Sequence, residues 1–319
     1  MSLSRRDVLR AFASVGVVGC TASAPDPAPA DQPPPPPRER LADGPPAEHL
    51  LIVDSGGMYG SNHLTVYADG LALFYRRRIS EWTRRPPTQI LRLEPLEIRD
   101  LKAIFSSPEF TGAAPHYTKT SFKDGGLTKF VAGARKIGVH GGAKEVPPVL
   151  EWLQRTSEEL ELRIDERGQD AYRAAEPRLL VVYERWHRAT STSDQLIVWA
   201  NGTLDYRVLR SSTPFDREKD SHDPVVRLEQ ATPADVAELT ALLAGGSFTT
   251  AQSISHVEGD GATSGTAHFI YHTGPTMEVA PGFDPPAGIR PVVVALARLL
   301  ERFGAPPDEP NVMPPGKAR

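Results

Sequence analysis

The chain has 319 residues, with 36 Lys and Arg against 40 Asp and Glu, nine His and one Cys. An apolar share of 39% beside 24% charged residues is enough to fill globular cores and excludes a fully disordered or collagen-like chain. A formal charge of −4 supplies no global basic field of the sort that draws a protein onto nucleic acid, and one Cys excludes an intrachain disulfide framework and a cysteine zinc cage.

The N-terminus carries Arg5-Arg6, an apolar run from Ala11 to Val18, and then Gly19-Cys20. The run is too short to span about 30 Å of hydrocarbon as a helix of about 20 residues. Paired arginines, an apolar run and a small residue before Cys resemble a twin-arginine signal joined to a lipobox. The resemblance implies an exported bacterial lipoprotein cleaved before Cys20, residues 1–19 being signal. Cys20 would then be the lipidated first residue and the link to a membrane. Loss of 1–19 removes three Arg and one Asp, so the mature charge is −4 − 2 = −6.

Residues 20–47 hold ten prolines, among them the run Pro33–Pro37. Such composition cannot bury enough apolar area to offset its ordering entropy, so a disordered, extended tether is expected, with recognition of the proline run by an aromatic groove as a lesser alternative. The stretch 305–319 is similarly rich in proline and is expected to be a disordered tail.

Between these ends the chain repeats itself. Leu64-Thr65-Val66-Tyr67-Ala68-Asp69-Gly70 recurs as Leu196-Ile197-Val198-Trp199-Ala200-Asn201-Gly202, and Arg92-Leu93-Glu94 as Arg227-Leu228-Glu229. Ile98, Leu101, Ile104, Phe105 and Phe110 match Val236, Leu239, Leu242, Leu243 and Phe248. Phe130, Ile137 and Val139 match Ile270, Met277 and Val279. Val149, Trp152, Leu153 and Leu160 match Ile289, Val292, Val293 and Leu300. The repeats are assigned to 48–164 and 178–304, with 165–177 as a charged linker.

Asp69-Gly70 and Asn201-Gly202 are expected to be the positive-φ pair of two-residue hairpin turns. A helix opened by Thr232-Pro233 and stopped by Gly245-Gly246 is expected over Val236–Leu243, with its counterpart over Ile98–Phe105. A second hairpin turns at Gly133-Ala134 or Thr273-Gly274-Pro275. A last helix carries the stripe Ile289, Val292, Val293, Leu296, Leu299, Leu300 and Phe303. The predicted fold class is α+β: two tandem homologous units, each an antiparallel sheet of hairpins with two covering helices, related by a pseudo-twofold or a translation. Trp152 and Trp199 are expected in cores.

No HExxH, GxSxG, GxxxxGK[ST] or paired CxxC motif is present. His268 and His272 are four apart in a predicted strand, over about 10 Å, which is too far for one zinc unless the strand ends between them. His222-Asp223 reads as solvated polar surface. His63 aligns with Gln195 and His140 with Ala280, so the repeats share apolar pattern and turns rather than chemistry. The expectation is therefore a non-enzymatic chain with no cofactor and no metal.

Two segments of the first repeat carry a binding expectation. Ser55-Gly56-Gly57-Met58-Tyr59-Gly60-Ser61 reads as a Gly-rich loop presenting Met and Tyr, residue types enriched at interfaces. Arg76-Arg77-Arg78, with Trp82, Arg84 and Arg85 behind, reads as a basic loop after a hairpin, able to dock a carboxylate-rich partner or anionic headgroups, or simply solvated. The opening strand followed by Ser55-Gly56-Gly57 and Gly60, the helix ending near Phe110 and the closing Pro148-Val149-Leu150-Glu151-Trp152-Leu153 resemble the emfourin family of metalloprotease inhibitors. The second repeat departs from it, with Glu184-Arg185-Trp186 in place of the glycine pair. The resemblance implies a compact α+β fold that binds a protein without a cofactor. A protein partner, which could be a protease, is thus the leading expectation. The alternatives are an exported hydrolase and a structural spacer of the cell envelope.

Overall fold

The computed structural model describes residues 49–57, 60–78, 88–118, 126–170, 176–188, 192–210, 225–254, 265–272 and 276–310. Arg5, Arg6, Cys20, Met58, Tyr59, Trp82, Arg84, Arg85, the turn at 273–275 and His222-Asp223 lie outside the described residues.

The first repeat runs β1 (His49–Gly57), β2 (Gly60–Tyr67), β3 (Leu71–Arg78), β4 (Gln89–Arg92), α1 (Pro95–Phe105), α2 (Pro108–Thr111), β5 (His116–Tyr117), β6 (Leu127–Ala132), β7 (Arg135–His140), α3 (Pro148–Arg167) and β8 (Gln169–Asp170). The second runs β9 (Leu179–His187), β10 (Thr192–Trp199), β11 (Thr203–Arg210), β12 (Val225–Gln230), α4 (Pro233–Ala244), α5 (Gly246–Thr249), β13 (Thr266–Tyr271), β14 (Met277–Val279) and α6 (Arg290–Glu301). One sheet is ordered β5-β7-β6-β1-β2-β3-β4-β8 and the other β12-β11-β10-β9-β13-β14. Every strand pairing is antiparallel except β5 with β7. The α+β architecture of two hairpin sheets with covering helices is therefore as the sequence predicts.

The expected hairpin turns fall at the right places with a different geometry. Each is a three-residue loop, Ala68–Gly70 or Ala200–Gly202, closed by Gly70 N–H to Tyr67 O and by Gly202 N–H to Trp199 O, both 2.9 Å. Only the glycines take positive φ, +87° and +86°. Asp69 and Asn201 stay at negative φ and instead accept from the N–H two residues on, Leu71 and Thr203, both at 2.9 Å. The Asx acceptor makes the left-handed conformation at that position unnecessary.

The repeat match also needs one correction. Leu93 N–H donates to Gly70 O and Ala231 N–H to Gly202 O, so Leu93 corresponds to Ala231. Arg92-Leu93-Glu94 therefore aligns with Gln230-Ala231-Thr232, three residues beyond the matching Arg-Leu-Glu letters. Helix starts obey this register: Pro95 and Pro233 open α1 and α4, Glu94 N–H donates to Glu97 Oε2 at 2.8 Å, and Thr232 N–H to Asp235 Oδ2 at 3.0 Å.

Alternation sorts each sheet into two faces. Leu51, Val53, Leu64, Val66 and Phe74 pack under α1 and α3 in one core, around Leu101, Leu153 and Leu160. Leu196, Val198, Leu204 and Ile270 pack under α4 and α6, around Leu239, Val292 and Leu296. The opposite faces meet each other. Tyr67, Leu71, Leu73 and Ile90 share a third core with Leu179, Val182, Ile197, Trp199, Phe269 and Tyr271. The layers thus run helix, sheet, sheet, helix. Trp199 is fully buried in that third core, whereas Trp152 is only partly buried against the first.

The stretch read as a linker, 165–177, differs from expectation because tertiary partners claim it. Asp165, Glu166 and Arg167 are the last turn of α3, and Gln169–Asp170 pairs with β4. Glu176 ends it buried, bound by Arg178 through Nε at 2.9 Å and Nη2 at 3.1 Å, and also by Arg92. Residues 305–310, the start of the expected tail, are likewise docked: Asp308 accepts from Arg185 at 3.0 Å, and Glu309 N–H donates to Thr266 Oγ1 at 2.8 Å.

Candidate partner-binding edge and the matching pocket

The described parts of the Gly-rich segment, Ser55–Gly57 and Gly60–Ser61, are strand rather than loop. Ser55 pairs with Asn62, Gly56 with Ser61 and Gly57 with Gly60, and on its other side Gly56 pairs with Leu127. Two-sided backbone pairing outweighs the low strand preference of glycine. The arginine run is strand as well: Gly60 pairs with Arg78, Ser61 with Arg77 and Asn62 with Arg76. The two segments singled out in the sequence thus come together at one end of one sheet.

Arg76 is not simply solvated. Its guanidinium lies 5.4 Å from the centre of the Phe74 ring and pairs with Asp165 on the last turn of α3. Beside it Asn62 Nδ2 donates to Glu161 Oε2 at 2.7 Å. Burial pushes the Glu161 carboxyl up to about 7, against the opposing pull of the Asn62 hydrogen bond and the Arg76 charge. Glu161 is 8% exposed.

Among the described residues His63, His268 and His272 bond to separate groups. His63 Nδ1 meets Asp54 across β1 and β2, and its Nε2 is buried with no hydroxyl within reach among the described residues. His268 Nδ1 bonds the Tyr183 hydroxyl at 2.7 Å, and the His272 ring bonds Leu180 O at 2.7 Å, so the pair is committed to separate partners. Among the described residues no three His, Cys, Asp or Glu side chains converge to hold a metal ion.

Buried charges between and within the sheets are the residues that sequence reading missed. Asp205 is fully buried and bound by Arg207 at 3.1 and 2.6 Å, by the Tyr67 hydroxyl at 2.6 Å and by the His49 ring at 3.2 Å. Arg207 also donates to Thr65 Oγ1 and Tyr67, both at 2.7 Å. Burial opposes both charges, but their mutual attraction prevails: Asp205 is held far below the usual carboxylate range, and Arg207 is held protonated. A second cluster joins Thr88 to Glu184, with Gln195 Nε2 donating to both at 3.0 and 2.8 Å and the Tyr271 hydroxyl to Glu184 at 3.2 Å. The available signal was Asp205 and Arg207 two apart in a predicted strand, on one face.

In the second repeat the corner corresponding to Asn62, Arg76 and Glu161 is open. By strand register Asn62 corresponds to Asp194, Phe74 to Tyr206 and Arg76 to Val208. The closing helix there has 12 residues, against 20 in the first repeat. A short side chain and a short helix leave a cavity of about 280 Å³ lined by residues that include His187, Asp194, Tyr206, Val208, Arg227 and Phe303. Asp194 is neutralised by Arg185, Nε to Oδ1 at 3.0 Å and Nη2 to Oδ2 at 2.6 Å. Burial pushes the His187 imidazole down, and the Arg185 charge pushes it further, so it is neutral near pH 7.

No family model matches this chain, and no curated protein does. Among solved structures, the DNA polymerase III subunit beta from Pseudomonas aeruginosa aligns with 74% of this chain and 59% of its own, at 14% identity and a TM-score of 0.10. The chain thus spans less than two thirds of that structure, and a likeness of this size carries no argument. Among the described residues no helix is long and apolar enough to cross a membrane.

Proposed function

We propose that this chain is a non-catalytic, exported, lipid-anchored protein that binds a protein partner through the strand-end edge of its first repeat. The pairing of Gly60 with Arg78 carries this reading, because it sets the Gly-rich hairpin and the arginine run side by side on one edge. Main-chain glycine allows close approach of a partner backbone, and arginines favour carboxylates through bidentate contacts. The resemblance of the same segment to emfourins supports a thermolysin-like metalloprotease as the class to test first. No cofactor is required, and nucleic acid is a poor partner for an acidic body.

The experiment is titration of the mature chain against a panel of such proteases, read by binding and by residual activity. Saturable binding that weakens about tenfold or more with Arg77→Glu and Arg78→Glu together is the expected result. Absence of saturable binding across the panel and in cell-envelope extract would remove the proposal.

A further inference from the structure

The two sheets end differently at equivalent strands. Leu93 corresponds to Ala231, so Ile90 of β4 corresponds to Leu228 of β12. Beyond β4 the first sheet adds β8, with Ile90 opposite Gln169 and Gln89 opposite Asp170, and Ile90 is 7% exposed. Among the described residues β12 is the last strand of its sheet, and Leu228 is 49% exposed. The covering strand of the first repeat directly follows α3. Residues after α6 instead cross to β9 and β13, where Asp308 meets Arg185 and Glu309 meets Thr266.

Backbone parity says which groups are left over. Ala231 N–H donates to Gly202 O, so Ala231, Glu229 and Arg227 direct their main-chain groups at β11, and Gln230, Leu228 and Val226 direct theirs outward. Gln230 O obeys this alternation, since it accepts from Arg302 Nη2 at 2.9 Å. Leu228 N–H and C=O therefore stand at the middle of an open edge, and main-chain donors and acceptors in line are a template for another strand.

The side chains select that strand. Antiparallel pairing of β12 with β12 of a second copy, centred on Leu228, sets Arg227 against Glu229 of the other copy and Glu229 against its Arg227. A centre at Arg227 or at Glu229 would oppose like charges, and a centre at Val226 would set Leu228 against Pro224, which has no N–H to give. Arg227 spends one N–H on Phe303 O at 2.8 Å, and Glu229 lies 3.7 Å from Arg302, so both keep capacity for a cross-strand pair.

We propose that β12 pairs with β12 of a second copy, antiparallel and centred on Leu228, in a twofold dimer whose two six-stranded sheets run on as one. Each Leu228 N–H donates to Leu228 O of the other copy, each Gln230 N–H donates to Val226 O of the other copy, and the two leucine side chains meet on one face. A strand of six residues buries little area, so the dimer is weak, with a micromolar or higher Kd. The surface is separate from the partner-binding edge of the first repeat, and neither reading depends on the other.

The test is sedimentation velocity of the mature chain, carrying Cys20→Ser so that it bears no lipid, between about 1 µM and about 1 mM, with concentration-dependent conversion of monomer to dimer expected. Leu228→Pro should weaken the dimer about tenfold or more at an unchanged melting temperature of the monomer, because the N–H it removes does not pair with β11. Arg227→Glu and Glu229→Arg should each weaken it about tenfold, and an equimolar mixture of these two variants should dimerise again, since every facing pair is then of opposite charge. A parent chain that stays monomeric to about 1 mM would overturn the proposal. So would a dimer that survives Leu228→Pro, or charge variants whose mixture associates no better than either alone.

Discussion

The rings of Tyr67 and Trp199 meet edge to face, centroids 5.8 Å apart and planes at 82°, and these two residues occupy the same position in the two repeats. Equivalent positions touch each other where two units face one another about a twofold axis, whereas a translation would keep them a unit apart. Other contacts obey the same exchange. Asp205 meets Tyr67 and His49, and the corresponding trio Leu73, Trp199 and Leu179 shares one apolar core. The repeat relation is therefore a pseudo-twofold, and each sheet is the other's cover.

Because the sheets share a core, the repeats should unfold together. Trp199→Ala is expected to cost about 3–5 kcal/mol, while Trp152→Ala, at a partly buried site, should cost less. Calorimetry of the parent chain should give one transition with equal calorimetric and van't Hoff enthalpies. Two separated transitions would show that the repeats are energetically independent.

Removing one member of the buried ion pair leaves the other uncompensated. Asp205→Asn should destabilise by about 3–5 kcal/mol in urea denaturation, by exposing Arg207 to burial without its counter-charge. Asp205→Leu with Arg207→Met, which makes the site resemble Leu73 in the first repeat, should recover more than half of that loss. A double variant no better than the single one would contradict this account.

Glu161 makes stability pH-dependent in a defined direction. Its carboxyl is raised to about 7 from an ordinary 4.5. The unfolded chain releases this proton first, so the contribution is complete below about pH 4.5 and is lost as pH rises through about 7. The loss is on the order of 2–3 kcal/mol for a group this well buried. Glu161→Gln should flatten the fall in unfolding free energy across that window, and an unchanged slope would count against the buried carboxyl.

The two turn glycines should be intolerant of side chains. Alanine at Gly70 would adopt φ near +87° with its Cβ 2.6 Å from Ile98 Cδ1, and at Gly202 φ near +86° with Cβ 2.9 Å from Gln230 Nε2. Each substitution should cost at least about 1–2 kcal/mol. Alanine in place of Gly133, where nothing lies within 4 Å, faces only the backbone term. Comparison of the three melting curves separates strain from clash.

Anchoring is proposed to rest on Cys20 alone, since an acidic body gains nothing from anionic lipid. A single acyl chain holds only marginally at about 0.8 kcal/mol per buried CH₂, so a diacylglyceryl group is needed for durable attachment. Cys20→Ser should leave a chain that salt extraction releases from membranes, and Arg5→Lys with Arg6→Lys should retain it in the cytoplasm. Wild-type protein with an unmodified Cys20 by mass spectrometry would refute the proposal.

Local signals accounted for what is local. Turn glycines after Asx, prolines at helix starts and period-two apolar runs located the hairpins, α1 and α4, because each depends on a few neighbouring residues and a backbone constraint. Comparison of the two repeats added the class of fold, since agreement at matched spacings is a pattern in the letters themselves.

What only the tertiary structure decided depends on partners distant in the chain. Ser55–Gly57 and Arg76–Arg78 read as loops by composition and became strands because each lies beside a backbone that can pair with it. Asp205, Arg207 and Glu184 look like solvent-facing positions of half-buried strands; they are buried because the far face of each sheet is covered by the other repeat. The corner cavity likewise arises from a difference between the repeats, Val208 for Arg76 and a shorter closing helix, which acquires meaning only when strands and helix are set against each other in space.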